Sequence, residues 1–334
     1  MIFRPFPQIP TRALVTLYCW LSLLPGTSVR AQVTAPASLD QAESSYLPNL
    51  PLDLSELDTL KREVRTRNYA GAEGLLGDAL KKNPTSKQLL AFLGRVFFLD
   101  GRYDRSIAEF KDAEKHGELD EGERFTLSMA EVVLRHYSDA QSEMESLIQK
   151  YPREPLYHYW LSRVHYAQFH LASAISEAKE AIQMDPRFTR GYDQLGLCYE
   201  ASGQNDLAMQ SFKEAVRLNQ SAKKPSASPL IDRGTLLYKL NRVSEAESDF
   251  REALTYEPGS SQAHFQLGIA LEKEGQESDA IQQLREAVSL DPSNAEMHYV
   301  LGKALARTGH APEARAEFTS FERLKNAEPG KDSR

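Results

Sequence analysis

Histidines are the residues of this chain whose type and spacing come closest to a metal-binding or acid–base pattern. His158 and His165 lie seven residues apart, which places them two turns apart on one helical face. Two ligands at that separation need a third to hold a metal ion, and no cluster with ligand spacing surrounds them. His158, His264 and His298 also recur at equivalent positions of a repeated pattern. We therefore predict that they are packing residues and that the chain binds neither a metal nor a cofactor.

Motifs of nucleotide-binding and hydrolytic enzymes are missing from the sequence. It contains no Gly-rich phosphate loop, no Gly-x-Ser-x-Gly elbow and no His-Glu-x-x-His pair. Acidic pairs such as Glu313 and Glu317 have the spacing of helical salt bridges on a solvated face. Cys198 lies between Leu197 and Tyr199 and is predicted to be a buried, inert thiol. The sequence thus predicts a protein without catalytic residues, that is, not an enzyme.

A repeat of 34 residues sets the elements that position these side chains. Small residues recur at this interval, with one step of 38, at Ala72, Ser106, Ala140, Ala174, Ala208, Ala246, Ala280 and Ala314. A period of this length indicates stacked helical units with a distributed core. Eight units are predicted over 53–328, starting at Asp53, Lys87, Glu121, Pro155, Thr189, Ala227, Ser261 and Ala295. The additional residues of the long step are assigned to a loop insertion at 221–226.

Each unit reads as two helices. In the unit from Ser261, Leu267 and Leu271 mark the apolar stripe of a first helix, which Gly275 ends. Leu284 lies on the stripe of a second helix, and Pro292 stops that helix. The small residues are expected where the two helices approach closely.

The pattern resembles the tetratricopeptide repeat family, whose unit is a 34-residue helical hairpin. The early Leu-Gly pair of that family stands at Leu93-Gly94, Leu195-Gly196, Leu267-Gly268 and Leu301-Gly302. The later aromatic position holds Phe110, Phe212, Phe250 and Phe318, and the closing proline is present as Pro84, Pro152, Pro186, Pro258 and Pro292. The third and fourth units depart from the pattern, with Ser128 and Ser162 in place of the glycine.

The resemblance implies an all-α fold, a right-handed superhelical solenoid of about eight helix-turn-helix repeats. In the family, the first helix of each unit lines a concave groove that binds a partner. Carried over to this sequence, the groove positions hold Arg95, Phe98, Phe125, Tyr159, Arg163, Tyr166, Tyr238, Phe265, Tyr299 and Lys303.

A groove of aromatic residues and a few cations favours a protein partner. We expect it to bind an extended or helical peptide segment, with Arg95 and Arg163 available for a carboxylate. Two alternatives remain: the aromatics pack between neighbouring helices, or they bind a glycan or another cell-envelope polymer. One branch of the family clamps the C-terminal carboxylate of chaperones with Lys and Asn at these positions, and this sequence does not contain that Lys–Asn clamp.

The first 31 residues have the layout of a secretory signal. They carry three arginines and no acid, followed by an apolar run at 13–24, and Ala31 is a suitable cleavage position. We predict export to the periplasm or the exterior, without a membrane span after cleavage, although an uncleaved anchor is the alternative. Residues 32–52 are predicted to be a flexible linker and 329–334 a polar tail.

Composition limits the classes of partner. A hydrophobic fraction of 41% with 26% charged residues is typical of a soluble folded protein. After cleavage, 37 basic and 47 acidic side chains leave a net charge of −10, which disfavours nucleic acid as a partner. One cysteine remains, so no internal disulfide forms and packing must supply the stability. The oligomeric state is left open by the sequence.

Overall fold

A computed structural model of the protein describes residues 50–327, and within that range it consists of sixteen α-helices and no β-strand. The helices are α1 (Leu54–Arg65), α2 (Tyr69–Lys82), α3 (Lys87–Leu99), α4 (Tyr103–Glu114), α5 (Glu121–Val133), α6 (Tyr137–Lys150), α7 (Pro155–Ala167), α8 (Leu171–Met184), α9 (Thr189–Ala201), α10 (Asn205–Gln220), α11 (Ser228–Lys239), α12 (Val243–Tyr256), α13 (Ser261–Lys273), α14 (Glu277–Leu290), α15 (Ala295–Arg307) and α16 (Ala311–Ala327). The predicted all-α superhelical repeat fold is confirmed.

The helices form eight hairpins in two compact units. Odd-numbered helices are the first helices of hairpins, and even-numbered helices are the second helices that fold back on them. The unit that ends at Lys150 contains α1 to α6, and the unit that begins at Tyr151 contains α7 to α16. Within each unit a second helix packs on the first helix of the next hairpin, so that the core is distributed along the stack.

Every hairpin turns in the same way. The second residue after each first helix takes a left-handed backbone conformation, at Arg67, Gly101, Arg135, Phe169, Gly203, Asn241, Gly275 and Gly309. The next backbone N–H then donates to the carbonyl five residues earlier, as in Arg102 to Phe97 and Gln276 to Leu271, both at 2.9 Å. This is the pattern of a Schellman motif, which satisfies carbonyls at the helix end. Only half of the turns use glycine, so the hydrogen-bond pattern, rather than the residue, is what the hairpins share.

Side-chain caps begin several of the first helices. Asp53 and Asp120 each accept from the backbone three residues on, and Glu56 and Glu123 complete capping boxes by accepting from the cap backbone. Ser86, Ser260 and Asn294 accept from the first turns of α3, α13 and α15. These short polar segments therefore both end one hairpin and start the next.

A small residue against a large one forms the centre of most hairpins. Phe110, Phe212 and Phe250 are completely buried, and their rings lie against Gly94, Gly196 and Gly234 of the preceding first helix. A β-carbon added at Gly196 would approach within 2.5 Å of the Phe212 ring. In the seventh hairpin Leu284 takes the place of the ring and faces Gly268. The expected close approach of the two helices is confirmed.

The third and fourth hairpins have Ser128 and Ser162 in place of this glycine, and in both of them the buried hydroxyl forms a hydrogen bond. Ser128 donates to the Phe125 carbonyl at 2.8 Å within its own helix, and it faces Met144 rather than an aromatic ring. Ser162 donates to the Ala174 carbonyl of the second helix at 2.7 Å. Both hydroxyls are completely buried and hydrogen-bonded, which removes the cost of burying a polar group.

The longer step of the repeat is accommodated after the fifth hairpin. The helix α10 continues to Gln220, and the loop that follows is closed by Asn219. The Asn219 amide donates to the Ser226 carbonyl at 2.8 Å, and its carbonyl accepts from the Ser226 N–H at 2.9 Å. Because Asn219 is buried, this bridge clamps both ends of the loop.

The predicted signal (1–31), most of the predicted linker (32–52) and the tail (329–334) lie outside the described residues. The last three linker positions are described, and Leu50 is buried in the core of the first unit. Among residues 50–327, no helix combines the length and the apolar character that crossing a bilayer requires.

The contact between glycine and phenylalanine generates a stability prediction. Gly196→Ala should destabilise the protein by about 1–3 kcal/mol, because the Phe212 ring is completely buried and cannot move away. Gly74→Ala is the matched control, since a β-carbon there meets nothing within 4 Å in the interior of α2, and it should stabilise by roughly 0.5–1 kcal/mol. Urea unfolding of both variants measures the two changes. Changes of the same sign would contradict the packing described here.

Candidate functional site

The first helices of consecutive hairpins lie directly against one another. In the first unit α3 contacts α5, and in the second unit α7 contacts α9, α9 contacts α11, and α11 contacts α13, whereas successive second helices do not approach as closely. Within each unit this side is therefore the more tightly curved one. We call the surface formed by the first helices the first-helix wall.

All ten residues that the resemblance assigns to a groove lie on first helices. Arg95, Phe98 and Phe125 are on α3 and α5 of the first unit. The other seven are on α7, α11, α13 and α15 of the second unit, namely Tyr159, Arg163, Tyr166, Tyr238, Phe265, Tyr299 and Lys303. They differ widely in how much of each side chain a ligand can reach.

Three of the predicted aromatics are mostly packed into the protein. Phe125, Tyr159 and Phe265 are 8%, 7% and 5% exposed. The Tyr159 ring is covered by Phe188, which comes from the loop before α9 and lies edge-on at 5.7 Å. Phe265 belongs to a buried cluster that includes Leu301 of α15. These rings chiefly hold neighbouring hairpins together.

The other four aromatics present more of their surface. Phe98, Tyr166 and Tyr238 are half-buried, and Tyr299 is 42% exposed. Burial raises the pKa of the Tyr166 and Tyr238 hydroxyls, so both are neutral hydrogen-bonding groups at physiological pH. The ammonium of Lys273 lies 4.6 Å from the centre of the Tyr238 ring. Half-exposed rings of this kind can supply both apolar area and a polar tip to a ligand.

The two predicted arginines already have partners within the protein. A nitrogen of the Arg95 guanidinium lies 3.8 Å from a carboxylate oxygen of Asp120. Arg163 donates to the Tyr159 hydroxyl at 3.2 Å and its guanidinium lies 4.5 Å from the centre of the Trp160 ring. Reversing either charge would therefore disturb internal contacts, so these residues are poor sites for a test of binding alone.

The first unit contains a cleft of about 380 Å³ on its first-helix wall. It is lined by Leu50, Lys87, Gln88, Phe92, Arg95, Asp120 and Glu123. Its charged side chains are paired with one another, with Lys87 and Glu123 at 2.5 Å. Of these residues only Arg95 is predicted from the sequence. Leu50 lies in the segment expected to be a linker, and no local signal marks it as part of the fold.

A pair of half-buried acids lies on the wall of the second unit. Asp193 of α9 and Asp232 of α11 interact directly. Burial is the main cause that raises the pKa of Asp232 to about 7. Burial also raises the pKa of Asp193 well above its ordinary value, and the neighbouring Asp232 raises it further. The positive charge of Arg163 opposes both changes. The sequence contains no sign of this pair, because the two residues belong to different hairpins.

His158, His264 and His298 each contact a side chain on the second helix of their hairpin. Nδ1 of His158 lies 2.7 Å from the Glu177 carboxylate, and Nδ1 of His298 lies 2.6 Å from that of Glu317. His264 makes the equivalent contact with Gln283 at 2.7 Å. These contacts agree with the packing role predicted for them. Within residues 50–327, no group of three or more His, Cys, Asp or Glu side chains is arranged to hold a metal ion.

Cys198 is completely buried in α9, as predicted. Its sulfur lies 3.8 Å from the Ser162 hydroxyl and 3.4 Å from the Gln194 amide. Burial raises the pKa of the thiol to about 11, so the reactive thiolate is scarce at physiological pH. The prediction of an inert thiol is consistent with this environment.

Comparison with protein families gives one consistent result. The tetratricopeptide repeat profile matches residues 57–121, 125–187, 231–295 and 275–329, and a second profile of the same description matches residues 189–221. Together these matches span more than half of the chain.

Curated relatives match only in part. The chain is 24% identical over 186 residues to the TPR repeat-containing protein YpiA of Bacillus subtilis, covering 54% of this chain and 42% of that protein. It is 25% identical over 147 residues to the DnaJ homolog subfamily C member 7 homolog of Dictyostelium discoideum, covering 40% of this chain and 27% of that protein. The chain thus spans less than half the length of these relatives.

Solved structures share the fold at low identity. A tetratricopeptide repeat protein from Parabacteroides merdae is 13% identical with a TM-score of 0.65, and the match covers 75% of this chain and 98% of that one. A thermophilic TPR protein of Thermus thermophilus is 22% identical with a TM-score of 0.50, covering 56% of this chain and 100% of that one. At this identity the similarity concerns the fold alone.

From the Asp193–Asp232 pair we predict that the free energy of unfolding depends on pH. Since the folded-state pKa of Asp232 is raised to about 7, the native protein keeps a proton that the unfolded chain has already released. This contribution to stability is present at low pH and is lost as the pH rises through about 7. Asparagine does not titrate, so the Asp232→Asn variant should not lose stability in this way as the pH rises. At pH 8 it should therefore be more stable than the wild type by on the order of 1–3 kcal/mol.

Urea unfolding at pH 5.5 and pH 8 tests this, with the difference between variant and wild type compared at each pH. Asp249→Asn is the control, because Asp249 is a buried acid of the same hairpin that is paired with Arg233 at 2.7 Å. The control should destabilise at both pH values. If the difference in unfolding free energy between Asp232→Asn and the wild type is the same at both pH values, the raised pKa of Asp232 is refuted.

Proposed function

Because this chain belongs to the tetratricopeptide repeat family, we propose that it is a non-catalytic scaffold that binds a peptide segment of a partner protein along its first-helix wall. Members of this family are generally protein–protein interaction scaffolds without catalytic activity. The peptide segment and the place of binding are the parts that we add.

One observation carries the proposal: the wall holds large rings that the fold leaves partly uncovered. Phe110 and its equivalents in the hairpin cores are completely buried. Tyr166, Tyr238 and Tyr299, on three first helices of the second unit, keep part of their surface accessible. Partly exposed aromatic residues on a concave surface favour binding of a partner side chain, because burying them there releases water at little cost in side-chain entropy.

Localisation outside the cytoplasm is a second part of the proposal. It is supported by the basic residues, the short apolar run and the Ala31 cleavage position at the start of the chain. Expression of the full chain in its native host, followed by mass spectrometry of the intact protein, tests it. The expected mature chain begins at Gln32, and an intact N-terminus would contradict cleavage.

Binding along the wall is tested with peptides selected from a displayed library against the chain from Gln32 onward. Tyr238→Ala should weaken the selected peptides about tenfold or more, as expected for a central aromatic contact. Tyr256→Ala is the matched control, since Tyr256 is a half-buried tyrosine on the second helix of the same hairpin. It should change affinity less than about twofold.

Fluorescence polarisation gives the affinities, and circular dichroism confirms that both variants remain helical. Equal effects of the two substitutions would place binding elsewhere than on the wall. A chain that binds no peptide of the library but is retained on a glycan array would favour the glycan-binding alternative.

A further inference from the structure

The last hairpin ends in an aromatic patch that the internal hairpins do not have. Tyr299 of α15 lies 6.1 Å from Phe318 and 5.1 Å from Phe321, both on α16, measured between ring centres. In the internal hairpins the place of Phe321 is held by alanines such as Ala253 and Ala287, which are completely buried. The following first helix packs against those alanines, and among the described residues no helix follows α16. Phe318 and Phe321 are consequently half-exposed.

Two lysines border this patch. The Lys303 ammonium lies 5.6 Å from the centre of the Tyr299 ring, and the Lys325 ammonium lies 5.5 Å from that of Phe321. Both side chains are exposed, and no carboxylate of residues 50–327 lies within 4 Å of either ammonium. We call Tyr299, Phe318, Phe321, Lys303 and Lys325 together the terminal patch.

Some cations of the first-helix wall are instead paired with acids. Lys239 is paired with Glu200 at 2.6 Å, and Arg307 is paired with Glu272. On α16, Glu317 is bound to His298 and Glu313 to Arg285. Glu322, which adjoins Phe321, is exposed and forms no ion pair with either lysine among residues 50–327. The two ammonium groups of the patch are therefore not paired with a described carboxylate.

The end of α16 does not suit a second copy of the chain stacked as a further hairpin. Where α14 presents Ile281 and Val288 to the next first helix, α16 carries the charged residues Arg315 and Glu322. Extending the stack would bury both charges, which is unfavourable without partners.

We propose that the terminal patch binds an internal peptide segment in which a large apolar or aromatic side chain is flanked by aspartate or glutamate. The apolar side chain would pack on Tyr299 and Phe321, and the carboxylates would pair with Lys303 and Lys325. Aromatic faces and exposed ammonium groups are each complementary to one part of such a segment. This inference rests on the proposed function, because it specifies the chemistry of a partner at the last described hairpin, where Tyr299 and Lys303 of the first-helix wall lie beside residues of α16.

The test uses three fluorescein-labelled peptides with the C-terminus amidated and the chain from Gln32 onward. The first has the sequence Ala-Asp-Glu-Phe-Leu-Glu-Asp-Ala, the second replaces its four acids with lysine, and the third replaces Phe-Leu with Ala-Ala. The acidic peptide should bind with affinity that falls as salt increases. The lysine peptide and the Ala-Ala peptide should each bind at least tenfold more weakly.

Variants assign the contact to the patch. Lys303→Glu combined with Lys325→Glu should weaken the acidic peptide at least tenfold and strengthen the lysine peptide. Tyr299→Ala should also weaken binding of the acidic peptide at least tenfold. Lys213→Glu, which changes an exposed lysine on the second helix α10, is the control and should stay within twofold of wild type. If the Lys303→Glu, Lys325→Glu double variant does not fold, Lys303→Gln takes its place and should weaken binding of the acidic peptide severalfold.

The outcomes separate this inference from the proposed function. Equal binding of the acidic and lysine peptides, or no effect of the lysine variants, overturns the inference while peptides selected from the library still bind along the wall. Stronger binding of a peptide with a free C-terminus than of the amidated one also overturns it, in favour of capture of a terminal carboxylate. Failure of every library peptide removes the proposed function and this inference together.

Discussion

The close contact between a small residue of the first helix and a large residue of the second is the constraint on which the hairpins depend. Glycine at 94, 196, 234 and 302 lets the second helix approach until a phenylalanine ring lies on the first-helix backbone. Side chains in protein interiors pack at near-crystalline density, so this spacing allows little variation. The serine hairpins respect it as well, because Ser162 converts its extra atom into a hydrogen bond with the neighbouring helix. Through this contact, seven hairpins that differ in most other positions take one shape, whereas the first hairpin has Leu60 at the position of the small residue.

Stacking of hairpins then divides the side chains of the first helices into two groups. Phe125, Tyr159 and Phe265 fill the space between neighbouring hairpins, whereas Tyr166 and Tyr238 stop short of burial. The two groups occupy different positions of the repeat: Phe125, Tyr159 and Phe265 are the fifth residue of their unit, and Tyr166 and Tyr238 are the twelfth. Tyr299 is a fifth residue as well, but no described helix follows α16 to cover it, and Phe321 of α16 packs on it instead. A binding surface in this fold consists of what the packing between hairpins leaves uncovered.

The ionisable groups of the first-helix wall also fall into two groups, those with a compensating partner and those without one. Most cations of the wall are paired with acids of an adjacent hairpin or stacked on rings, which keeps charged groups solvated or compensated. Asp193 and Asp232 are the exception, since stacking places two carboxyl groups together with one arginine nearby. Because burial raises the pKa of both groups, we expect the stability of the second unit to fall as the pH rises. The pair also places a polar, pH-sensitive feature in the middle of the wall on which we propose that peptides bind.

The sequence by itself determined the family, the all-α repeat fold and the pairing of helices in hairpins, because these follow from local patterns that recur every 34 residues. The inert environment of Cys198 was predictable for the same reason, since its apolar neighbours belong to one helical stripe. Only the tertiary structure decided which aromatics are accessible, that Arg95 and Arg163 have internal partners, and that Asp232 meets Asp193. The Arg95 contact joins a helix to the loop before the next hairpin, and the Asp193–Asp232 contact joins two hairpins, so periodicity within one unit carries no information about them. The partners of Arg163 lie on its own helix, and there the side-chain conformation decides the contact.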